Sequence, residues 1–199
     1  MIQEEGSEGL AHRIAGRVRQ LRADRGLSLD ALATQSGVSR SMISLIERGE
    51  SSPTAVVLER LATGLQVPLA ALFELAAVEV SADPVARAAD QVSWRDPHSG
   101  YVRRNVSPAG VGSPIHIVDV SFPPHAHVAY ETAARQPLIH QQVWVLDGLI
   151  EVSYGDVTHR LEQGDCLALV LDQPTAFHNP TDRTTRYAVV IVSPAAPGR

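Results

Sequence analysis

The chain has 199 residues, of which 44% are hydrophobic and 20% charged, a balance that is typical of a soluble globular protein and excludes a disordered chain. No apolar run approaches the roughly 20 residues that cross a bilayer, so no membrane partner is expected. The net charge of −5 argues against non-specific coating of nucleic acid, but residues 9–75 hold eight arginines against six acidic residues, a balance of +2 that permits DNA binding there.

The cysteine content indicates the compartment. Cys166 has no second cysteine to pair with, so the chain cannot form an internal disulfide, and this is typical of a reducing interior. Residues 1–8 are acidic and lack the basic-then-apolar order of a secretory signal. We therefore predict a cytoplasmic protein.

The first third of the sequence has helical periodicity, with apolar residues recurring at helical spacing from Leu10 to Leu75. Ser28 and Ser39 are placed to cap the second and third helices, because a serine hydroxyl accepts a hydrogen bond that a helix start leaves open. Pro53 suits the first position of a fourth helix, where its missing N–H costs nothing, and Pro68 opens a fifth. The pattern predicts a compact five-helix, all-α domain.

The periodicity changes after about residue 78. Short runs of β-branched and apolar residues follow, separated by glycine, proline and aspartate, and they predict an all-β sandwich or barrel. Asp147-Gly148 lies between two of these runs, where it is a strong signal for a β-hairpin. The predicted strands are Ile115–Phe122, Gln141–Leu146, Leu149–Tyr154, Cys166–Leu171 and Tyr187–Val192.

The segment Leu27–Gly49 has the order helix, tight turn, helix, which is that of a helix-turn-helix. If its second helix begins after Ser39, then Ile43 and Ile46 face the core and polar side chains fall on the open face. A helix docked in the major groove brings its N-terminal residues closest to the base edges, where Arg40 can donate two hydrogen bonds to guanine. The predicted DNA-binding residues are Ser28, Ser39, Arg40, Ser41, Ser44 and Arg48.

The same residues also have a purely structural explanation, packed helices with solvated charges. For the arginines between Arg13 and Arg22 that explanation is favoured, since charges on a helix usually form a solvated face. Glu47 is expected to form a structural ion pair where its helix ends, whereas Arg48 stays open to a phosphate.

Three motifs in this half resemble the Cro/C1-type (xenobiotic-response-element, XRE) helix-turn-helix family. They are Gly-Leu-Ser-Leu-Asp-Ala-Leu-Ala (26–33), Gly-Val-Ser-Arg-Ser-Met-Ile-Ser-Leu-Ile-Glu-Arg-Gly (37–49) and Pro-Thr (53–54), and the resemblance covers about residues 9–75. It implies that the helix over residues 39–47 enters the major groove of double-stranded DNA. One departure is Leu29, at a position where the family often has a glutamine that contacts the DNA backbone or its neighbouring recognition residue, so that contact is not carried over.

The second half resembles a cupin domain, a small double-stranded β-barrel of the jelly-roll type. The resemblance lies in His-Gln-Gln-Val-Trp-Val-Leu-Asp-Gly (140–148), Leu-Glu-Gln-Gly-Asp (161–165) and Pro-Thr-Ala-Phe-His-Asn-Pro (174–180), and it covers about residues 100–195. Cupins that follow this type of helix-turn-helix form a known class of regulators. The resemblance implies an α + β multidomain protein, with a helix-turn-helix domain over residues 9–76, a linker over 77–99 and a cupin domain over 100–195.

Metal-binding cupins hold their ion with a His-x-His pair, a glutamate and a further histidine. In this chain the glutamate position falls on Gln141, the last histidine on Thr175, and the His-x-His pair on residues 134–137, which contain no histidine. Amide and hydroxyl side chains are poor ligands for zinc or iron, so we predict no metal and no cofactor. An alternative metal site, His125-Ala126-His127 with Glu131, has suitable spacing but lies before the strand that carries the motif.

The barrel is left as a candidate site for a small organic molecule, anionic or aromatic. The resemblance points Gln141, Thr175 and Phe177 inward and places two histidines at the rim. The predicted ligand-binding residues are Tyr130, Arg135, His140, Gln141, Thr175, Phe177 and His178. Structural alternatives stay open, with His140 pairing to a loop carbonyl and Phe177 belonging to the core.

Together these patterns predict a transcriptional regulator rather than an enzyme. A homodimer held by its barrels would present two symmetric recognition helices to a palindromic operator, with half-sites about one helical turn apart. A small-molecule effector would act by favouring one arrangement of that pair. Two alternatives remain open: a metal-dependent cupin enzyme with a DNA-binding arm, and a cupin that serves only for dimerisation.

Overall fold

The computed structural model describes residues 2–73, 83–111, 113–131 and 138–192, with the backbone alone for residues 2–9. The helical half contains four α-helices followed by a 3₁₀ helix, so the predicted fifth α-helix is wrong. In that segment the Ala71 N–H donates to the Pro68 carbonyl (3.0 Å), the spacing of a 3₁₀ turn, and all five residues are buried. Packing therefore sets its shape. The helices are α1 (Ile2–Asp24), α2 (Leu29–Ser36), α3 (Arg40–Glu47), α4 (Ala55–Gly64) and the 3₁₀ helix Leu69–Phe73.

Hydroxyl side chains start three of these helices. Ser28 and Ser39 each accept a hydrogen bond from the N–H three residues on (3.0 and 3.3 Å), which confirms both predicted caps. The fourth helix begins later than predicted, because Thr54 rather than Ser52-Pro53 forms its cap, at 3.4 Å. A cap at Ser52 would use the N–H of Ala55, but that N–H donates to Asp96 instead, so the helix begins at the next hydroxyl that can accept.

The helices pack around one apolar cluster. The predicted stripe on α1, represented by Ile14 and Val18, is fully buried in the same cluster as Leu32 and Leu58. Helices α2 and α4 come closest at Gly64, where a Cβ would lie 2.9 Å from the Cβ of Ser36. The missing side chain therefore permits this approach. None of the helices in the described ranges is both long and apolar enough to span a membrane.

The described residues beyond the helices form two antiparallel sheets. One has six strands in the order β1-β2-β3-β10-β5-β8, and the other has four in the order β4-β9-β6-β7. The sheets face each other, since Phe177 of β9 stacks on Tyr187 of β10 with ring centroids 5.8 Å apart. The strands are β1 (Ser93–Arg95), β2 (Val102–Asn105), β3 (Ile115–Phe122), β4 (His127–Tyr130), β5 (His140–Asp147), β6 (Leu149–Tyr154), β7 (Val157–Glu162), β8 (Cys166–Val170), β9 (Thr175–His178) and β10 (Thr185–Val192).

The five predicted strands correspond to β3, β5, β6, β8 and β10, and β3 and β6 have the predicted bounds. Four of the remaining strands have only three or four residues, too few for alternation to be recognised. Strand β1 lies inside the range predicted as linker, 77–99, and pairs with β2 at the edge of the six-stranded sheet.

The hairpin predicted at Asp147-Gly148 is wrong. Strand β5 pairs with β10 and β8, whereas β6 pairs with β7 and β9, so this turn carries the chain from one sheet to the other. Gly148 has φ +84°, and a Cβ there would lie 2.9 Å from Oγ1 of Thr185. That hydroxyl accepts a hydrogen bond from Leu149 N–H (3.2 Å) and donates one to the Leu149 carbonyl (2.5 Å), which fixes the crossing.

The helical and β halves are in direct contact. Asp96, which follows β1, accepts a hydrogen bond from Ala55 N–H (2.8 Å) at the start of α4. Arg60 of α4 donates to Glu131 after β4 (2.7 Å). These contacts fix α4 against the sheets.

A continuous row of aromatic rings crosses from the 3₁₀ helix into the space between the sheets. Phe73 packs on Trp94 at 5.6 Å between ring centroids, and each later ring lies within 6.1 Å of the next. This aromatic row consists of Phe73, Trp94, Tyr101, Phe122, Tyr187 and Phe177.

Candidate functional site

Helix α3 presents a polar face to solvent. Ile43 and Ile46 are fully buried, and Arg40 and Ser41 at the start of the helix are exposed. Ser44, one turn further on, is half-buried. The N-terminal end of α3 is therefore free to approach another molecule.

An ion pair fixes α3 against α1. Arg22 donates from Nε and Nη2 to the two carboxylate oxygens of Glu47 at 2.6 and 2.8 Å. The Glu47 side chain is only 8% exposed, and its hydrogen bonds raise the pKa of Arg22. This is the structural ion pair that the sequence predicts for Glu47. It also orients α3, because a two-point contact restrains rotation as well as distance.

Both arginines on the open face have acidic neighbours. The Nε of Arg40 lies 3.2 Å from a carboxylate oxygen of Asp30, and both side chains are more than half exposed. Arg48 donates from Nε and Nη2 to Glu50 at 2.8 Å each and from Nη1 to Ser44. Exposed pairs contribute at most about 1 kcal/mol, so these arginines can exchange their partners for an anion at small cost.

The serines at the helix starts are engaged with the protein's own backbone. The hydroxyls of Ser28 and Ser39 cap their helices, and the Ser39 and Ser41 hydroxyls lie 3.2 Å apart. Helix N-termini are favourable places for phosphate, because their N–H groups and dipole point outward. Leu29, where the resembled family often has glutamine, packs its side chain against the apolar cluster.

A second candidate site is an internal cavity between the sheets, closed on one side by the helical half. Its volume is about 60 Å³. Four of the predicted ligand residues line it together: Tyr130, Gln141, Thr175 and Phe177. The helical half contributes Glu59, Pro68 and Leu69 to the wall.

Two predicted ligand residues that the structure describes, His140 and His178, do not line this cavity. His140 is exposed at the start of β5. The Nδ1 of His178 lies 3.0 Å from a carboxylate oxygen of Glu151, outside the cavity wall. Arg135 lies outside the described residues.

The alternative metal residues are held apart by other partners. His125 lies 2.8 Å from Asp182, and Glu131 pairs with Arg60. His127 lies beside His178, with ring centroids 6.0 Å apart. Within the described ranges, no three His, Cys, Asp or Glu side chains come together as a metal site would require.

Sequence reasoning missed the most polar part of the cavity wall, which is Arg103 with Tyr101 and Tyr187. Tyr101 and Tyr130 share a hydrogen bond between their hydroxyls (3.2 Å), and burial raises the pKa of all three tyrosines. One signal was available. Arg103 and Arg104 are adjacent, and side chains alternate along a strand, so one of the two arginines in β2 has to point inward.

Comparison with known proteins agrees with a helix-turn-helix in the helical half. A model of the HTH_3 helix-turn-helix family matches residues 18–72. The HTH-type transcriptional regulator SutR of Escherichia coli (strain K12) is 51% identical over 61 residues, which are 31% of this chain and 34% of that protein. SlrR of Bacillus subtilis (strain 168), also an HTH-type transcriptional regulator, is 40% identical over 58 residues, 29% of this chain and 38% of SlrR.

These matches span only about a third of the length of the curated relatives. A solved structure extends the likeness to nearly the whole chain. It is an HTH_3 family transcriptional regulator from Vibrio cholerae, 26% identical, with a TM-score of 0.75 over 94% of this chain and 98% of that one. The likeness therefore includes the two sheets as well as the helices.

Proposed function

We propose that this chain, whose residues 18–72 match the HTH_3 helix-turn-helix family, is a sequence-specific DNA-binding transcriptional regulator. The observation that carries the proposal is the exposed start of α3, where Arg40 and Ser41 face solvent while Glu47 fixes the helix to α1. In this proposal α3 enters the major groove and Arg40 contacts a base edge. Ser28, Ser39, Ser41, Ser44 and Arg48 contact bases or phosphates around it.

The β half is proposed to be a cupin domain over residues 100–195 that forms the dimer, following a helix-turn-helix domain over residues 9–76 and a linker over 77–99. A patch on the outer face of the six-stranded sheet supports this. Three strands place apolar side chains there in register, because Ile115 pairs with Val192 and Ala188 pairs with Trp144. Trp144 is 50% exposed. The sheet patch consists of Ile115, Ile117, Trp144, Val190 and Val192.

A homodimer through this patch would give two recognition helices related by a two-fold axis, as a palindromic operator requires. Large apolar side chains rarely gather on a free surface without a partner, which favours a second copy of the chain here. The dimer is proposed to act in the cytoplasm, on double-stranded DNA.

The internal cavity is proposed to be the site of a small-molecule effector. Its wall combines β residues, among them Tyr130, Gln141, Thr175 and Phe177, with Glu59 of α4 and Leu69 of the 3₁₀ helix. An occupant would therefore touch both halves. It can change operator affinity only if it prefers one arrangement of the helical pair over the other.

The test is titration of the full chain into labelled DNA from upstream of its own coding sequence, at two salt concentrations. Arg40→Ala is compared with Arg13→Ala, which removes an exposed arginine from α1 instead. We expect salt-sensitive binding that falls about 5- to 150-fold in Arg40→Ala, as for loss of a bidentate base contact of about 1–3 kcal/mol. Arg13→Ala should bind like wild type.

Equal losses in the two variants would refute base reading by Arg40. If the folded wild type prefers neither this DNA nor any fragment recovered by genome-wide selection, the regulator proposal is wrong. Trp144→Arg places a charge in the sheet patch. Loss of operator binding in this variant would indicate that the regulator binds DNA as a dimer, and unchanged binding would indicate a monomer.

A further inference from the structure

The cavity contains a buried arginine whose hydrogen-bond donors are unmet. Arg103 is 6% exposed, and neither its Nε nor its Nη2 has a hydrogen-bond partner in the part of the chain that the structure describes. A buried polar group without a partner lowers the stability of the folded protein, and a charged one lowers it more. Proteins rarely retain such a cost without a use for it.

Arg103 lines the cavity, and the described residues around it do not provide a hydrogen-bond acceptor for Nε or Nη2. The ring of Phe73 covers another part of Arg103, with its centroid 5.2 Å from the guanidinium carbon. Burial lowers the pKa of Arg103, but a guanidinium titrates so far above neutral pH that the side chain stays charged. Glu59 also lines the cavity, and its charge favours the charged guanidinium, yet it makes no hydrogen bond to Nε or Nη2.

The size and lining of the cavity define what could fill it. A volume of about 60 Å³ is well below the roughly 150 Å³ of an engineered cavity that takes benzene, so the cavity fits a ligand of only a few non-hydrogen atoms. A short-chain carboxylate has that size. Apolar and aromatic side chains form much of the wall, including Val120, Phe122 and Ile191.

We propose that the cavity binds a small organic carboxylate, with Arg103 donating to its oxygens and the apolar and aromatic side chains of the wall enclosing its apolar part. The two free donors, Nε and one terminal nitrogen, form the fork that matches a carboxylate. The hydroxyls of Tyr101 and Tyr130 lie on the same wall as further polar contacts. This proposal names the effector class for the regulator proposed above and rests on that function only for its biological role.

The test uses propionate as the probe and thermal unfolding of the full chain without DNA as the readout, because a ligand of the folded state raises its stability. Propionamide is the neutral control for shape, and sodium chloride and inorganic phosphate control for ionic strength and for a generic oxyanion. Arg103→Met removes the fork. Arg104→Met is the matched control, since Arg104 is the next residue on β2 and pairs with Asp119 instead.

We expect propionate alone to raise the unfolding temperature of wild type and Arg104→Met, with one site per chain by calorimetry. Arg103→Met should lose the response, measured against its own unfolding temperature without ligand. If Arg103→Met does not fold, Arg103→Lys serves in its place. Lysine keeps the charge but lacks the fork, so propionate should bind about tenfold more weakly or worse.

Four results would overturn the proposal: no stabilisation by propionate, an equal effect of propionamide, protection by phosphate instead, or an undiminished response in the Arg103 variants. Because DNA is absent, these results are independent of operator binding. A protein that binds propionate but no DNA would retain the anion site and lose the regulator function.

Discussion

The pair between Arg22 and Glu47 allows a quantitative prediction about how α3 is held. Their side chains are 18% and 8% exposed. Removing one member of a buried pair costs about 3–5 kcal/mol, because the other charge is left uncompensated. For Glu47→Leu we expect about 3 kcal/mol, since Arg22 keeps some contact with water and also donates to the Leu27 carbonyl (2.9 Å).

The measurement is urea unfolding followed by helical circular dichroism. Arg22→Met should cost at least as much as Glu47→Leu, because it strands the more buried charge and removes the bond to Leu27. The double variant should cost less than the sum of the single changes by more than about 1 kcal/mol, since neither charge then remains. Arg48→Met, which breaks an exposed pair, is the control and should cost less than about 1 kcal/mol. Simple additivity of the two single changes would refute the coupling.

Three further predictions concern the β half. Burial alone would raise the pKa of Asp119, but hydrogen bonds from Arg186 and Arg104 outweigh it and hold the pKa below its ordinary value. The stability that these bonds contribute is present above the unfolded pKa of about 3.9 and is lost as pH falls through the folded value. Urea midpoints should therefore fall more steeply with acid in wild type than in Asp119→Asn, and parallel profiles would contradict this. Gly148→Ala should destabilise the protein more than Gly26→Ala. Both glycines have positive φ, which costs an alanine about 1–2 kcal/mol, but only at Gly148 would the added Cβ also collide with Thr185. Equal unfolding midpoints of the two variants would contradict this. Trp144→Arg should yield monomers in sedimentation velocity while Trp144→Phe stays dimeric, and a dimeric Trp144→Arg would place the interface elsewhere.

Most of the helical half could be predicted because its signals are local. A cap such as Ser39 depends on the N–H groups three residues away, and a buried stripe such as Ile43 with Ile46 depends on a single helix. The error at Leu69–Phe73 arose where the segment is shorter than two turns, so that tertiary packing decides between α and 3₁₀ geometry.

The β half was predictable only strand by strand. Asp147-Gly148 has the composition of a hairpin turn, but which strands pair is a non-local property. Here the Thr185 hydroxyl accepts a hydrogen bond from Leu149 N–H where the chain passes to the other sheet. Seven residues were predicted for the ligand site, and four of them line the cavity. Arg103 was missed because its strand has four residues, too few to show which of two adjacent arginines points inward.

The aromatic row also gives the protein an internal optical reporter. The chain has two tryptophans, Trp94 and Trp144, and the first is 8% exposed while the second is 50% exposed. Trp94 lies between Phe73 and Tyr101, at the seam between the helical and β halves. In Trp144→Phe, all tryptophan fluorescence would come from that seam. A shift in its emission maximum or a change in its lifetime would therefore report separation of the two halves without any added label.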